Sequence, residues 1–134
     1  MKDGKIQTFT DLNVWKEGHN LVIMIYKITK TFPSEERYSM VDQMRRASSS
    51  ITANIAEGFG RQSFKEKVQF YYLAKGSLNE LKNFLYIARD VDYLDEQTFM
   101  NLMQQSSIVD QILQGFIKKT KQFINHSSLI VNRI

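Results

Sequence analysis

A single proline, Pro33, interrupts this chain of 134 residues, and about a hundred residues follow it without another. Proline breaks a helix interior because it has no N–H to donate and its ring meets the carbonyl one turn back. A chain with one such break can be almost wholly helical if its apolar residues repeat at the helical period, and these do. Before the proline, Val14, Leu21, Ile25, Ile28 and Phe32 fall three, four or seven apart, with Trp15 and Val22 beside them. The pattern predicts an amphipathic helix over about 11–31, opened by Asp11 as N-cap and closed before Phe32-Pro33.

Three more helices follow from the same reading. Met40, Met44, Ala47, Ile51, Ile55 and Gly58 share one face over 39–60, with Ser39 and Asp42 as a weaker capping box and Gly58-Phe59-Gly60 as a positive-φ C-cap. Ser63 and Glu66 form a full capping box ahead of a helix over 63–91. That helix carries two apolar stripes: Val68, Tyr71, Leu78, Leu81, Leu85 and Ala88, and beside them Phe70, Ala74, Ser77, Phe84 and Ile87. So wide an arc should touch more than one neighbour. After a turn at Asp92-Tyr93, Leu94 reads as a staple onto Phe99 and Asp95 as N-cap of a helix over 95–125, built on Phe99, Leu102, Met103, Val109, Ile112, Leu113, Phe116, Ile117 and Ile124. Residues 126–134 read as a tail. The links are short, so the expected fold is all-α, an antiparallel up-down-up-down four-helix bundle forming one domain over 1–134. Gly18, Gly76 and Gly115 fall inside helices, where each costs about 1 kcal/mol relative to alanine. Close approach of a neighbouring helix is the expected compensation.

Composition narrows the chemistry. At 43% hydrophobic and 24% charged the chain is globular rather than disordered. Without cysteine it has no disulfide, thiolate metal site or cysteine nucleophile. No stretch approaches the roughly 18 uncharged apolar residues of a membrane span, so no membrane partner and a cytoplasmic location are expected. His19 and His126 are far apart, form no HExxH pair and read as surface or flank residues. Gly58-x-Gly60 lacks the third glycine and the preceding strand of a dinucleotide loop. Helical RNA-cleaving enzymes of the HEPN type place a histidine four to six residues after an arginine, a spacing absent here. The expectation is no enzyme, no cofactor, no metal and no small-molecule substrate.

Two constellations remain. Gln43, Arg46, Ser50, Asn54, Glu57 and Arg61 form a polar row on the second helix, centred about 85° from its apolar stripe. Either Glu57 and Arg61 simply pair at i,i+4 on a solvated flank, or the row is an interhelical or intersubunit seam in which Arg46 and Glu57 bond groups on another helix. The second constellation is basic. Lys and Arg number 18 against 14 Asp and Glu, a formal charge of +4, and beyond residue 96 four basic residues face Asp110 alone. Arg45, Arg61, Lys65, Lys67, Lys118, Lys119 and Lys121 are candidate phosphate contacts, although Lys118, Lys119 and Lys121 also suit the negative end of a helix dipole. Phe64, Tyr71 and Tyr72 could stack on bases if exposed, but their spacing points to core or interface.

Several motifs carry a resemblance: Phe9-x-x-Leu12-x-Val14-Trp15, Ile25-Tyr26 with Thr29, Phe32-Pro33-x-x-Glu36-x-Tyr38, Gln43-x-Arg45-Arg46-Ala47, Ser50-Ile51-x-x-Asn54-Ile55-Ala56-Glu57-Gly58 and Ala74-x-Gly76-Ser77-Leu78-x-Glu80. Together they resemble the four-helix-bundle family of 23S rRNA intervening-sequence proteins, also labelled S23 ribosomal protein. The likeness runs from about residue 9 to 93 and fades over the fourth helix; Gly18 stands where that family often has alanine. The resemblance implies a small bacterial bundle that assembles as a ring-like homopentamer. It also implies kinship with the pentameric accessory proteins of diversity-generating retroelements, which bind nucleic acid. It implies no enzyme. The leading reading is a non-enzymatic homo-oligomer that binds RNA or DNA electrostatically, and the alternative is a protein-binding scaffold with no nucleic-acid ligand.

Overall fold

A computed structural model describes the backbone of residues 4–133 and the side chains of residues 4–124. Four helices form an all-α bundle: α1 (Asn13–Thr29), α2 (Met40–Gly60), α3 (Phe64–Asp90) and α4 (Glu96–Arg133). Short 3₁₀ turns at Phe9–Asp11 and Ser34–Glu36 precede α1 and α2. The backbone of α4 continues as helix through the segment read from sequence as a tail. Each helix packs on two others, α1 and α3 both on α2 and α4, with no diagonal contact among the described residues. The partners of α3 descend along α4 as α3 ascends: Phe64 meets Phe123, Tyr71 meets Phe116 and Tyr86 meets Phe99, so the two run antiparallel.

The core follows the predicted stripes. Leu21 and Ile25 of α1, Met44, Ile51 and Ile55 of α2, Leu78, Leu81 and Leu85 of α3, and Val109 and Leu113 of α4 are fully buried. Burying each such side chain contributes about 1.5–3 kcal/mol. The polar side chains within this core, Thr29, Ser48, Ser106 and Thr120, each donate to a carbonyl three or four residues back, so none is left unpaired.

Several ends of helices differ from the sequence reading. Asp11 caps no part of α1; its carboxylate accepts from the Gln7 and Thr8 amides and closes a capping box around the first 3₁₀ turn, and α1 starts after Leu12. Those two amide bonds hold the Asp11 pKa below the ordinary value. Ser39 turns its hydroxyl to Glu36 at 3.3 Å, so the box with Asp42 does not form. Ser63 accepts from the Glu66 amide at 3.1 Å, and Asp95 accepts from the Thr98 amide at 2.7 Å, which lowers the Asp95 pKa. The turn between α3 and α4 is made by Asp92 in the left-handed region at φ 65°, a conformation short polar side chains tolerate.

Gly58 is no positive-φ cap. It is buried inside the last turns of α2, where an added Cβ would stand 2.6 Å from Tyr71 Cε1 and 3.0 Å from Phe70 Cβ. Glycine is there because α3 returns so closely after the tight link. Gly18 meets the expectation of close approach, with a Cβ 3.1 Å from Thr52 Cγ2 on α2. Gly76 and Gly115 do not, since both face open space. Gly58→Ala should therefore destabilise the chain by about 1–3 kcal/mol through overpacking. Gly115→Ala should stabilise it by about 0.5–1 kcal/mol by removing unfolded-state freedom. Urea unfolding followed by circular dichroism reads both signs.

Candidate nucleic-acid interface

The fold itself engages several of the basic residues singled out from sequence. Arg45 lies half-buried at the α1/α2 joint, where Nε donates to Thr29 Oγ1 at 3.0 Å and an Nη to the Tyr26 carbonyl at 3.3 Å, with the guanidinium 4.7 Å over the Tyr26 ring. Lys67 donates to the Phe59 carbonyl at 2.6 Å, one of the carbonyls a helix end leaves open. Burial of its ammonium lowers its pKa. Arg61 pairs with Glu57 at 2.7 Å and lies 4.6 Å over the Phe70 ring.

The polar row of α2 resolves into local pairs and one crossing contact. Arg46 pairs with Asp42 at 3.2 Å, and Glu57 pairs with Arg61, all on α2. Among the described residues neither Arg46 nor Glu57 bonds another helix of the same copy, which leaves the intersubunit form of the seam; Gln43 is exposed beside them. Ser50 does cross, accepting from Ser77 of α3 at 2.9 Å, and Asn54 donates to the Ser50 carbonyl at 2.8 Å and hydroxyl at 3.1 Å. His19 is exposed and stacks on Trp15 at 4.7 Å, and His126 lies outside the described side chains.

Along the line of that crossing residue, α3 turns a mostly apolar row outward. Phe70, Leu73, Ser77, Glu80, Phe84, Ile87 and Val91 recur at alternating steps of three and four, the a/d register of a coiled coil. Leu73, Ile87 and Val91 are 56%, 38% and 47% exposed, although α3 already packs on two helices. The wide apolar arc of α3 is therefore only partly used inside one copy.

On its other flank α3 meets α4 along a basic groove. Asp110 of α4 receives Lys75 and Lys82 of α3, each at 2.9 Å, and the Gln114 amide at 3.1 Å. Partial burial pushes the Asp110 pKa up, but these three hydrogen bonds and the Lys82 charge outweigh it and hold it at about 2. One carboxylate thus serves two ammoniums. Lys118 and Lys121 lie about two and three turns beyond Asp110 on α4, lining with Lys75, Tyr72, Gln114 and Ile117 a groove of about 370 Å³. Lys65 stands two turns before Tyr72 on the same flank. Setting these five lysines and Asp110 aside, the chain keeps 13 basic and 13 acidic residues, so its +4 is gathered along this groove. Lys119 points the other way, toward Leu12 and Val14.

The aromatic expectation divides. Tyr71 is buried, and desolvation raises its pKa to about 12. Phe64 and Tyr72, expected in core or interface, are 38% and 44% exposed, Phe64 stacking on Phe123 and Tyr72 lying 4.9 Å under the Lys121 ammonium. Periodicity missed the Asp110 triad and the Arg45 joint because both rest on side-chain reach between helices. The one available signal was that Asp110 is the sole acid of the last 38 residues.

The family model described as 23S rRNA-intervening sequence protein matches residues 10–126. The chain belongs to that family. The match reaches into α4, past the point where the motif resemblance fades. A solved structure of a protein of unknown function from the S23 ribosomal protein family of Bacteroides thetaiotaomicron VPI-5482 shares the fold, with a TM-score of 0.73 at 23% identity. The alignment covers 78% of this chain and 95% of that one. No curated protein matches. No helix among the described residues is long and apolar enough to cross a membrane.

The triad sets a pH dependence. Asp110 titrates at about 2 in the folded chain against an ordinary value of 3.8, so its contribution to stability is present above that ordinary value and is lost as pH falls toward 2. With solvent screening allowed for, Asp110→Asn should cost about 1 kcal/mol at neutral pH. The gap between variant and parent should close between about pH 4 and 2, as read by denaturant unfolding across that range.

Proposed function

We propose that this family member is a non-catalytic, cytoplasmic, homo-oligomeric helical unit that holds RNA or DNA electrostatically. The observation that carries the reading is the division of α3 into three faces. One is core, one is the outward row at coiled-coil spacing, and one is the groove that gathers the net charge of the chain. An a/d row whose Leu73, Ile87 and Val91 stay exposed within the copy suits a helix of another copy. Uncompensated lysines suit phosphates, and their binding gains from counterion release. Arg61 and Lys119 stay as peripheral phosphate contacts in this reading. Gln43, Arg46, Ser50, Asn54 and Glu57 form the polar margin of the interface between copies.

The alternative, a scaffold that binds another protein and no nucleic acid, draws on the same outward row, since any amphipathic helix could cover it. The two readings separate in solution. At micromolar concentration, light scattering should give a mass near five times 15.7 kDa, and Leu73→Glu with Ile87→Glu should reduce it to that of one chain while helicity is kept. Binding of mixed-sequence RNA to the intact oligomer should weaken steeply with added salt. An intact oligomer with no RNA affinity at low salt would leave the scaffold, and a parent chain that stays monomeric would remove the self-assembly.

A further inference from the structure

We infer that the α3/α4 groove is a single-strand site, in which Tyr72 stacks on an unpaired base while Lys118 and Lys121 hold the flanking phosphates. The inference rests on the nucleic-acid reading above and specifies its ligand. The groove has the parts such a site needs: an exposed ring, an apolar floor and ammoniums on the rim. Tyr72 is 44% exposed, Ile117 is buried beneath, and Lys75, Lys118 and Lys121 stand around them. Gln114 commits its amide N–H to Asp110 at 3.1 Å, and its carbonyl oxygen has no hydrogen-bond partner among the described residues, which makes it an acceptor for the N–H edge of a base.

The occupant follows from an exchange the geometry sets up. Lys121 has no acidic partner among the described residues, and its ammonium rests 4.9 Å over the Tyr72 ring, a contact weak at an exposed site. A phosphate would draw that ammonium away and uncover the ring face. A base attached to the same phosphate is then the group that fits the vacated face, because every base has a π surface and stacking tolerates any sequence. A duplex cannot make this exchange. Its bases are stacked on one another inside, so it could engage the lysines but not Tyr72. The volume of about 370 Å³ is that of a small-ligand cleft, which suits one nucleotide at a time. Lys75 and Lys82 stay pinned on Asp110 and fix the width of the groove by holding α3 to α4.

The test compares three ligands on the full chain by fluorescence anisotropy at low salt: a 12-nucleotide single-stranded RNA without secondary structure, a duplex RNA of 12 base pairs, and the free mononucleotide UMP. The parent should prefer the single strand over the duplex. Tyr72→Ala should weaken the single strand about tenfold and leave the duplex unchanged, while Tyr72→Phe, which keeps the ring, should bind like the parent. Lys118→Glu with Lys121→Glu should weaken both ligands. Because Tyr72 is at the surface, light scattering and circular dichroism should find its variants assembled and folded like the parent. Equal loss of both ligands in Tyr72→Ala, or no loss of either alongside loss in the lysine variant, would overturn the stacking site while leaving electrostatic binding in place. UMP binding as tightly as the strand would show a mononucleotide site and overturn the single-strand one. Failure of the parent to bind either RNA would overturn both this inference and the function it rests on.

Discussion

Gly58 and the Tyr71 ring meet at the closed end of the α2–α3 hairpin, at a distance no other side chain than hydrogen could occupy without displacement. That contact sets how close the two helices lie and how α3 is rotated about its axis. With Tyr71 turned inward against Gly58 and Phe116, the residues at its phase, Leu78 and Leu85, enter the core. Those on the far side, Leu73 and Ile87, must then face solvent, and Tyr72 must fall on the flank that meets α4. The outward row and the basic groove are both consequences of one rotation.

The charges are arranged to fit that rotation. Asp110 sits where two lysines of α3 converge, so the helices are held in register by a carboxylate that cannot neutralise both. Removing one partner of a semi-buried ionic cluster costs more than the cluster contributes, because the others are left unmatched. The same imbalance leaves positive potential at the groove, next to lysines without acids of their own. Structure and binding thus draw on one local excess. Arg45 and Lys67 show the opposite use of cationic side chains, as joints that satisfy carbonyls and a hydroxyl left open where helices end or cross.

The all-α architecture was legible because periodicity and a single proline act locally, and a core stripe such as Met44, Ala47, Ile51 and Ile55 needs only its own helix to be recognised. Helix ends were less so. Asp11 and Ser39 have good alternatives within reach, a preceding 3₁₀ turn and Glu36, and nothing in a one-dimensional pattern ranks them. The glycines illustrate the limit: Gly18, Gly76 and Gly115 look alike in sequence, yet the first is pressed by a neighbour and the other two face open space, while Gly58, read as a cap, is pressed hardest. Of the candidate site, Lys118 and Lys121 were visible as a cluster, but their neighbours Tyr72 and Lys75 belong to a helix some forty residues earlier. Only the packing of α3 on α4 brings them together, and it also separates Lys119 from Lys121.

A three-faced α3 requires its outward row to be covered by another copy, and the absence of cysteine from the chain makes that directly measurable. A cysteine placed at Ile87 should react slowly with a soluble alkylating reagent at micromolar protein and faster as dilution separates the copies. A cysteine at Gly115, on the α1/α4 side, should react at one fast rate throughout. If position 87 alkylates as fast as position 115 at every concentration, the row is not an interface and the account of α3 as a three-faced helix fails.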